Sequence, residues 1–221
     1  TAESRHRLRI EENVALGNGG GILVQNNGLG GLVDGFDLRN LTVLGNRSDG
    51  YGGGIFLGIL AGGITSPVTI RDIELAANSA DADGGGLYYQ SAHFAAGSEI
   101  ARLSVWSNLA HGQGGGMSIR GPIPIRDVSS TANHAIGGGS ALLVGAFFPA
   151  PEVSHFTSFR DDGEIVRVDE PTAFSASIFD GVCTGVLNDL GANFVRSGST
   201  GCPGTAASAR HLGLSFGQFG G

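Results

Sequence analysis

Asp72, Arg102 and Asp127 are the residues of this chain whose types and spacing best suit chemistry. Each stands third in a short strand-like segment, and Asn40 holds the same place one segment earlier. Superposed, they would form a column with one guanidinium between two carboxylates. Carboxylates beside an Arg on an exposed strand face are what carbohydrate cleavage needs, for proton abstraction or acid–base work. The same column is also a plain charge ladder, in which alternating sign cancels repulsion between stacked side chains. We prefer the ladder, with Arg39, Arg71 and Arg126 as its solvated flank. An enzyme of the polysaccharide lyase or hydrolase kind is the alternative, and its catalytic set would be Asp72, Arg102 and Asp127.

Other reactive side chains offer less. His111 and His134 follow equivalent asparagines in adjacent repeats, which would bring them close, but no third ligand accompanies them. Asp49, Asp81 and Asp83 precede glycine triplets, yet the Gly/Asp nonapeptide of calcium-binding β-rolls is absent. We therefore expect no metal and no cofactor. Cys183 and Cys202 are the only cysteines, too few for a four-ligand zinc site. A local disulfide is their simplest reading, worth roughly 3 kcal/mol on the chain-entropy account, and it implies an oxidising compartment. The net charge is −7 and every basic residue is Arg. Scattered arginines on an acidic chain make no basic face, so nucleic acid is not an expected partner. No apolar run is long enough to span a membrane.

What would position these residues is a repeat. Gly-Gly-Gly begins at Gly19, Gly52, Gly84, Gly114 and Gly137, at intervals of 33, 32, 30 and 23 residues. Asn13, Asn46, Asn78 and Asn108 each lie six residues before their triplet; Asn133 lies four before the last. Upstream come Leu38-x-x-Leu41-x-Val43, Ile70-x-x-Ile73-x-Leu75 and Ile100-x-x-Leu103-x-Val105. The fifth copy opens with Ile125-x-x-Val128 and then puts Ser130 in the third apolar place. Downstream come Ile22-x-Val24, Ile55-x-Leu57, Leu87-x-Tyr89, Met117-x-Ile119 and, weakly, Ser140-x-Leu142. Short apolar runs of period two bounded by glycine mean strands, and no helical period occurs.

A unit of this size with only short strands cannot bury its apolar side alone and must stack on its copies. A propeller blade would need about 40 residues or more. The expected fold is all-β: a right-handed, single-stranded parallel β-helix, a solenoid of about seven or eight rungs and roughly 35–40 Å long at the usual strand spacing. Residues 1–221 would form one domain, with regular rungs over 1–145 and, over 146–221, irregular final rungs ending in a disulfide-closed cap. Asn13, Asn46, Asn78, Asn108 and Asn133 would stack as a structural ladder, since a carboxamide both donates and accepts. Asparagine also tolerates the left-handed backbone of a rung corner. The glycines would form the opposite corner and let neighbouring rungs approach.

Segments such as Asn46-Arg-Ser-Asp-Gly-Tyr-Gly-Gly-Gly-Ile55 and Asn78-Ser-Ala-Asp-Ala-Asp-Gly-Gly-Gly-Leu87 resemble the repeat of polymorphic outer-membrane proteins. That repeat also occurs in secreted bacterial β-helix proteins, including autotransporter-type passengers. The resemblance covers about residues 8 to 145. In the tail, Ser177-Ile178, Cys183, Leu190-Gly-Ala-Asn-Phe194 and Gly201-Cys202 resemble the last rungs of large surface proteins of this class. It implies a bacterial extracellular, cell-surface or periplasmic location and a structural, adhesive or assembly role rather than catalysis. The chain is short for the family, and Arg5 stands where the first rung needs an apolar residue. Both suggest a piece of a longer precursor.

Strand alternation points Leu23, Phe56, Tyr88, Ser118 and Ala141 outward. The first three are large and apolar, and the inserted loops Gly58–Ile64 and Ala146–Pro151, with Phe147 and Phe148, are apolar too. Either the loops cover this stripe or a partner does. Leu23, Phe56, Tyr88, Phe147 and Phe148 are therefore the expected interface. Its partner would be other protein subunits or the rest of the precursor, with surface glycans as a further candidate.

Overall fold

The computed structural model describes residues 7–26, 34–59, 64–93, 95–146, 150–196 and 198–207. Every described strand pairing is parallel, and no helix occurs among these residues, so none is long and apolar enough to cross a membrane. The protein is a parallel β-helix. Three sheets run along the stack, and each rung contributes one strand to each of them over the regular part.

The first sheet holds the long strands Asp37–Leu44, Thr69–Ala76, Glu99–Trp106, Ile125–Thr131 and Glu152–Phe159, with Leu8–Glu11 at its N-terminal edge. The second is built from two-residue strands, Val14–Ala15, Arg47–Ser48, Ser79–Ala80, Leu109–Ala110 and His134–Ala135. The third follows the glycines and includes Ile22–Asn26, Ile55–Ile59, Leu87–Ser91, Met117–Arg120 and Leu142–Val144.

The gap in the Leu-x-x-Leu-x-Val pattern has a backbone cause. Asn40, Asp72, Arg102, Asp127 and His155 have φ of 50–56°. A left-handed residue inside a strand reverses which face the next residue takes. Positions one, four and six of the pattern therefore all point inward. Register agrees: Leu38, Ile70, Ile100, Ile125 and Val153 align, as do Leu41, Ile73, Leu103, Val128 and Phe156. These aligned side chains fill the bore with third-sheet residues such as Ile55, Leu87, Met117 and Leu142.

A second left-handed position closes the rung. It is not the asparagine, as the sequence suggested, but the residue before it: Glu12, Gly45, Ala77, Ser107 and Ala132, with φ of 50–65°, and Arg160 before Asp161 has φ 56°. The asparagines are needed for their side chains alone.

The glycines also divide their work differently from the expected opposite corner. Only the first of each of the first four triplets is left-handed, as at Gly52 with φ 68°. The middle one faces the next rung's backbone: a Cβ on Gly85 would lie 2.4 Å from the carbonyl oxygens of Leu109 and Gly115. The third seats the ladder, since a Cβ on Gly54 would lie 3.0 Å from the Cγ of Asn78.

In the fifth copy the left-handed glycine equivalent to Gly114 is Gly139, with φ 67°, and Leu142 aligns with Met117. The corner is thus Gly139-Ser140-Ala141, and Asn133 lies six residues before it, as in the other copies. Ala141 is therefore not the outward residue. It belongs to the core, and Leu143 aligns with Ser118 instead.

Candidate functional site

Along one corner of the rod, just inside the left-handed turn, runs a chain of amides. The backbone N–H and the side-chain Nδ2 of each ladder asparagine both donate to the Oδ1 of the next, from Asn13 to Asn46, Asn78, Asn108 and Asn133, at 2.9–3.0 Å. The second Nδ2 hydrogen of Asn46, Asn78, Asn108 and Asn133 goes one rung back, to the carbonyls of Ile10, Val43, Leu75 and Val105. These four asparagines are fully buried; Asn13, in the first described rung, is exposed. A buried carboxamide left unbonded would cost on the order of 1–3 kcal/mol per group. Here each one is spent on its neighbours.

The ladder extends further than the five asparagines. Asn133 donates to Oδ1 of Asp161 at 2.8 Å from its backbone and 2.9 Å from its side chain. A separate short column follows: the Phe156 N–H donates to Ser177 Oγ at 3.2 Å, and the Ser177 N–H donates to Oδ1 of Asn193 at 2.9 Å. Asp161 escaped the repeat because no glycine triplet follows it. The upstream template was nonetheless present: Val153-x-x-Phe156-x-Ser158-x-x-Asp161 has the spacing of Ile125-x-x-Val128-x-Ser130-x-x-Asn133. The odd Ser130 finds its use here, accepting from Asn133 Nδ2 at 2.9 Å.

Asp72, Arg102 and Asp127 lie in one column on the outer face of the first sheet, at its left-handed corner. Arg102 grips Asp72 with two nitrogens, Nε to Oδ1 at 2.8 Å and Nη2 to Oδ2 at 2.9 Å. It is not held symmetrically between two carboxylates: Asp127 turns the other way, with its Oδ1 3.5 Å from His155 Nδ1. The side chains of Asp72, Arg102, Asp127 and His155 are 33%, 46%, 55% and 63% exposed. This is a row of paired polar side chains on an open surface. Arg39 and Arg71 share Asp37 at 3.2 and 3.1 Å.

The histidines are not brought together. His134 aligns with Leu109 rather than His111. His111 meets Asp81 at 3.2 Å, and His134 meets Asp162 at 2.8 Å. Asp49 and Asp81 both meet Arg47, and Asp83 meets Arg120 at 2.9 Å while accepting from the N–H of Gln113. Among the described residues no group of three or more His, Cys, Asp and Glu is arranged to hold a metal ion.

The expected apolar stripe is only partly exposed. Leu23, Phe56, Tyr88, Ser118 and Leu143 do align on the outer face of the third sheet. Leu23 is 52% exposed, but Phe56 and Tyr88 are only 4% exposed, which corrects their assignment to an open interface. Their rings stack in parallel with centroids 5.3 Å apart, and Tyr51 lies against Tyr88 at 4.8 Å. Arg120 reaches over Tyr88, whose hydroxyl donates to Gln90 at 2.9 Å. Burial pushes the Tyr88 phenol up to about 12. Sequence spacing missed this cover of Tyr88 because Tyr51 comes from a turn and Arg120 from the next rung. Phe147 and Phe148, and Arg5 of the first rung, lie outside the described residues.

Cys183 and Cys202 are joined by a disulfide. Around it, Cys183 donates its N–H to Thr200 and Thr200 donates its N–H to Gly181, so the bond clamps a small parallel ladder.

No family model, no curated protein and no solved structure matches the chain.

Proposed function

We propose that this protein is a non-enzymatic extracellular or cell-surface rod, serving as a structural, adhesive or assembly subunit. The observation that carries this reading is how its polar side chains are used. The buried amides bond to one another along the axis, and the surface acids of the charged column pair with an Arg or His beside them. Catalytic acids and bases instead converge on one point with shifted proton affinities. The disulfide fits an oxidising compartment, as outside the cell or in a periplasm. The Asn and Gly-Gly-Gly spacing resembles that of polymorphic outer-membrane and autotransporter passenger proteins, which favours a bacterial surface. Partners would be other subunits or further rungs of a longer precursor, with surface glycans as a second class.

Fractionating the source cells with an antibody against the rod tests this reading. We expect the protein in the medium, periplasm or envelope with its disulfide formed. The purified protein should release no reducing ends or unsaturated sugars from polygalacturonate, alginate or xylan. A cytoplasmic, reduced protein would overturn the proposal, as would sugar release abolished by the Asp72→Ala/Asp127→Ala double variant.

A further inference from the structure

The ladder changes chemistry at one rung. At each of its buried rungs from Asn46 to Asn133 the side chain offers an oxygen to the rung before and an N–H to a carbonyl in that same rung. Asp161 takes the sixth place. Its Oδ1 receives both hydrogens from Asn133, as an asparagine oxygen would. Its other oxygen, Oδ2, stands where the asparagines carry their amide nitrogen, and 2.7 Å from Ser158 Oγ. By register the carbonyl that corresponds to Val105 O, the acceptor for Asn133, is that of Ser130. An ionised carboxylate has no hydrogen to give at this point. A neutral carboxyl has one, and so has the donor–acceptor pattern of a carboxamide.

We propose that Asp161 is a proton-binding site built into the ladder, whose protonation completes the donor–acceptor pattern of the column at its sixth rung. The proton comes from solvent and resides on Oδ2. Ser158 Oγ then turns from donor to acceptor, or the proton points back to the Ser130 carbonyl. Oδ1 keeps both bonds from Asn133 in either state. No covalent bond between heavy atoms changes.

The surroundings favour this role. Asp161 is only 8% exposed, and the side chains that hydrogen-bond to it, Asn133, Ser130 and Ser158, carry no charge. Charged neighbours lie along the chain: Arg160, whose guanidinium sits over the Phe159 ring, and Asp162, paired with His134 of the second sheet. Desolvation raises the proton affinity of Asp161 above the ordinary carboxylate value, against the opposing effect of its hydrogen bonds. A carboxyl whose folded pKa is raised contributes stability that is complete below the unfolded value of about 4 and is lost as pH rises through the folded value. The rod is thus strengthened by mild acid, independently of whether its role is structural or adhesive.

Asp161→Asn supplies the missing N–H permanently. We expect it to melt a few degrees, roughly 3 °C, above the parent at pH 7, with the gap closing as pH falls toward the unfolded aspartate value of about 4. Taking the difference between the two proteins removes every pH-dependent contribution that they share. A gap that is absent, of opposite sign or constant with pH overturns the proposal. Carbon-13 titration of the Asp161 carboxyl in the parent decides the matter if the variant does not fold. A midpoint above the ordinary aspartate range supports the site; one at or below that range refutes it.

Discussion

From Leu8 to Gly145 the rungs are joined by a column of buried asparagines and closed by left-handed glycines, whereas beyond Pro151 both devices thin out. Ladder partners lie 25–33 residues apart in the first part, whereas Ser177 and Asn193, in a separate column, are separated by only 16. The later rungs are shorter, lack the triplet and shift register between Glu164 and Val166. Their core is aromatic: Phe179 lies 6.4 Å from Phe156 and 5.5 Å, edge-on, from Phe174. Val186 and Leu190 are each 59% exposed. A disulfide between Cys183 and Cys202 ties these shorter rungs. The regular part relies on repetition, in which each rung satisfies the one before, while the end relies on a covalent bond because repetition stops there.

The sharpest way to break that contrast is at the ladder's centre. Asn78→Ala removes the acceptor for both amide donors of Asn46 and the donor for the Val43 carbonyl, all in a dry interior. With unpaired buried groups costing on the order of 1–3 kcal/mol each, the loss should be about 4 kcal/mol. Asn13→Ala, at the exposed end, should cost about 1 kcal/mol or less, because water replaces what is lost. Urea denaturation of both variants checks the ratio. Equal losses would mean that the column gains nothing from being buried and continuous.

A somewhat smaller effect, confined to the other region, should follow from Cys183→Ser/Cys202→Ser. Removing the cross-link frees the closed loop in the unfolded chain, worth about 3 kcal/mol. Amide exchange should show lost protection over residues 164–207 and little change between Thr69 and Trp106. Uniform loss along the rod would show that the two regions unfold as one unit.

The stacking fold was legible because Asn-to-triglycine spacing and the Ile-x-x-Leu-x-Val pattern recur in nearly fixed relation. The reason for the double gap in that pattern was not, since left-handed Asp72 and Arg102 look like ordinary exposed residues in a strand. The slide of the fifth corner was hidden by Gly137 and Gly138, which imitate it. Asp161 was hidden by its chemistry, because an acid does not announce itself as an asparagine substitute. The column of Asp72, Arg102 and Asp127 was visible, but its pairing depended on side-chain directions: Arg102 favours Asp72 and leaves Asp127 to His155. Cover over Tyr88 came from Tyr51 and Arg120, contacts that no local spacing encodes.

The smallest expected effect belongs to that same column, and it separates the pair from its backbone. Arg102 has φ 53°, a conformation that costs a non-glycine residue roughly 1 kcal/mol. Its bond to Asp72 is bidentate but lies on the surface, where such pairs return about 1 kcal/mol at most. Arg102→Ala keeps the unfavourable backbone and loses the pair, so the rod should lose up to about 1 kcal/mol. Arg102→Gly loses the pair but relieves the backbone, so its thermal midpoint should match the parent's to within about 2 °C. The order parent and Gly above Ala would show that the charges offset a corner imposed by the rung. If both variants instead fell equally and by several degrees, the pair would be holding adjacent rungs together, and the surface column would belong with the buried ladder.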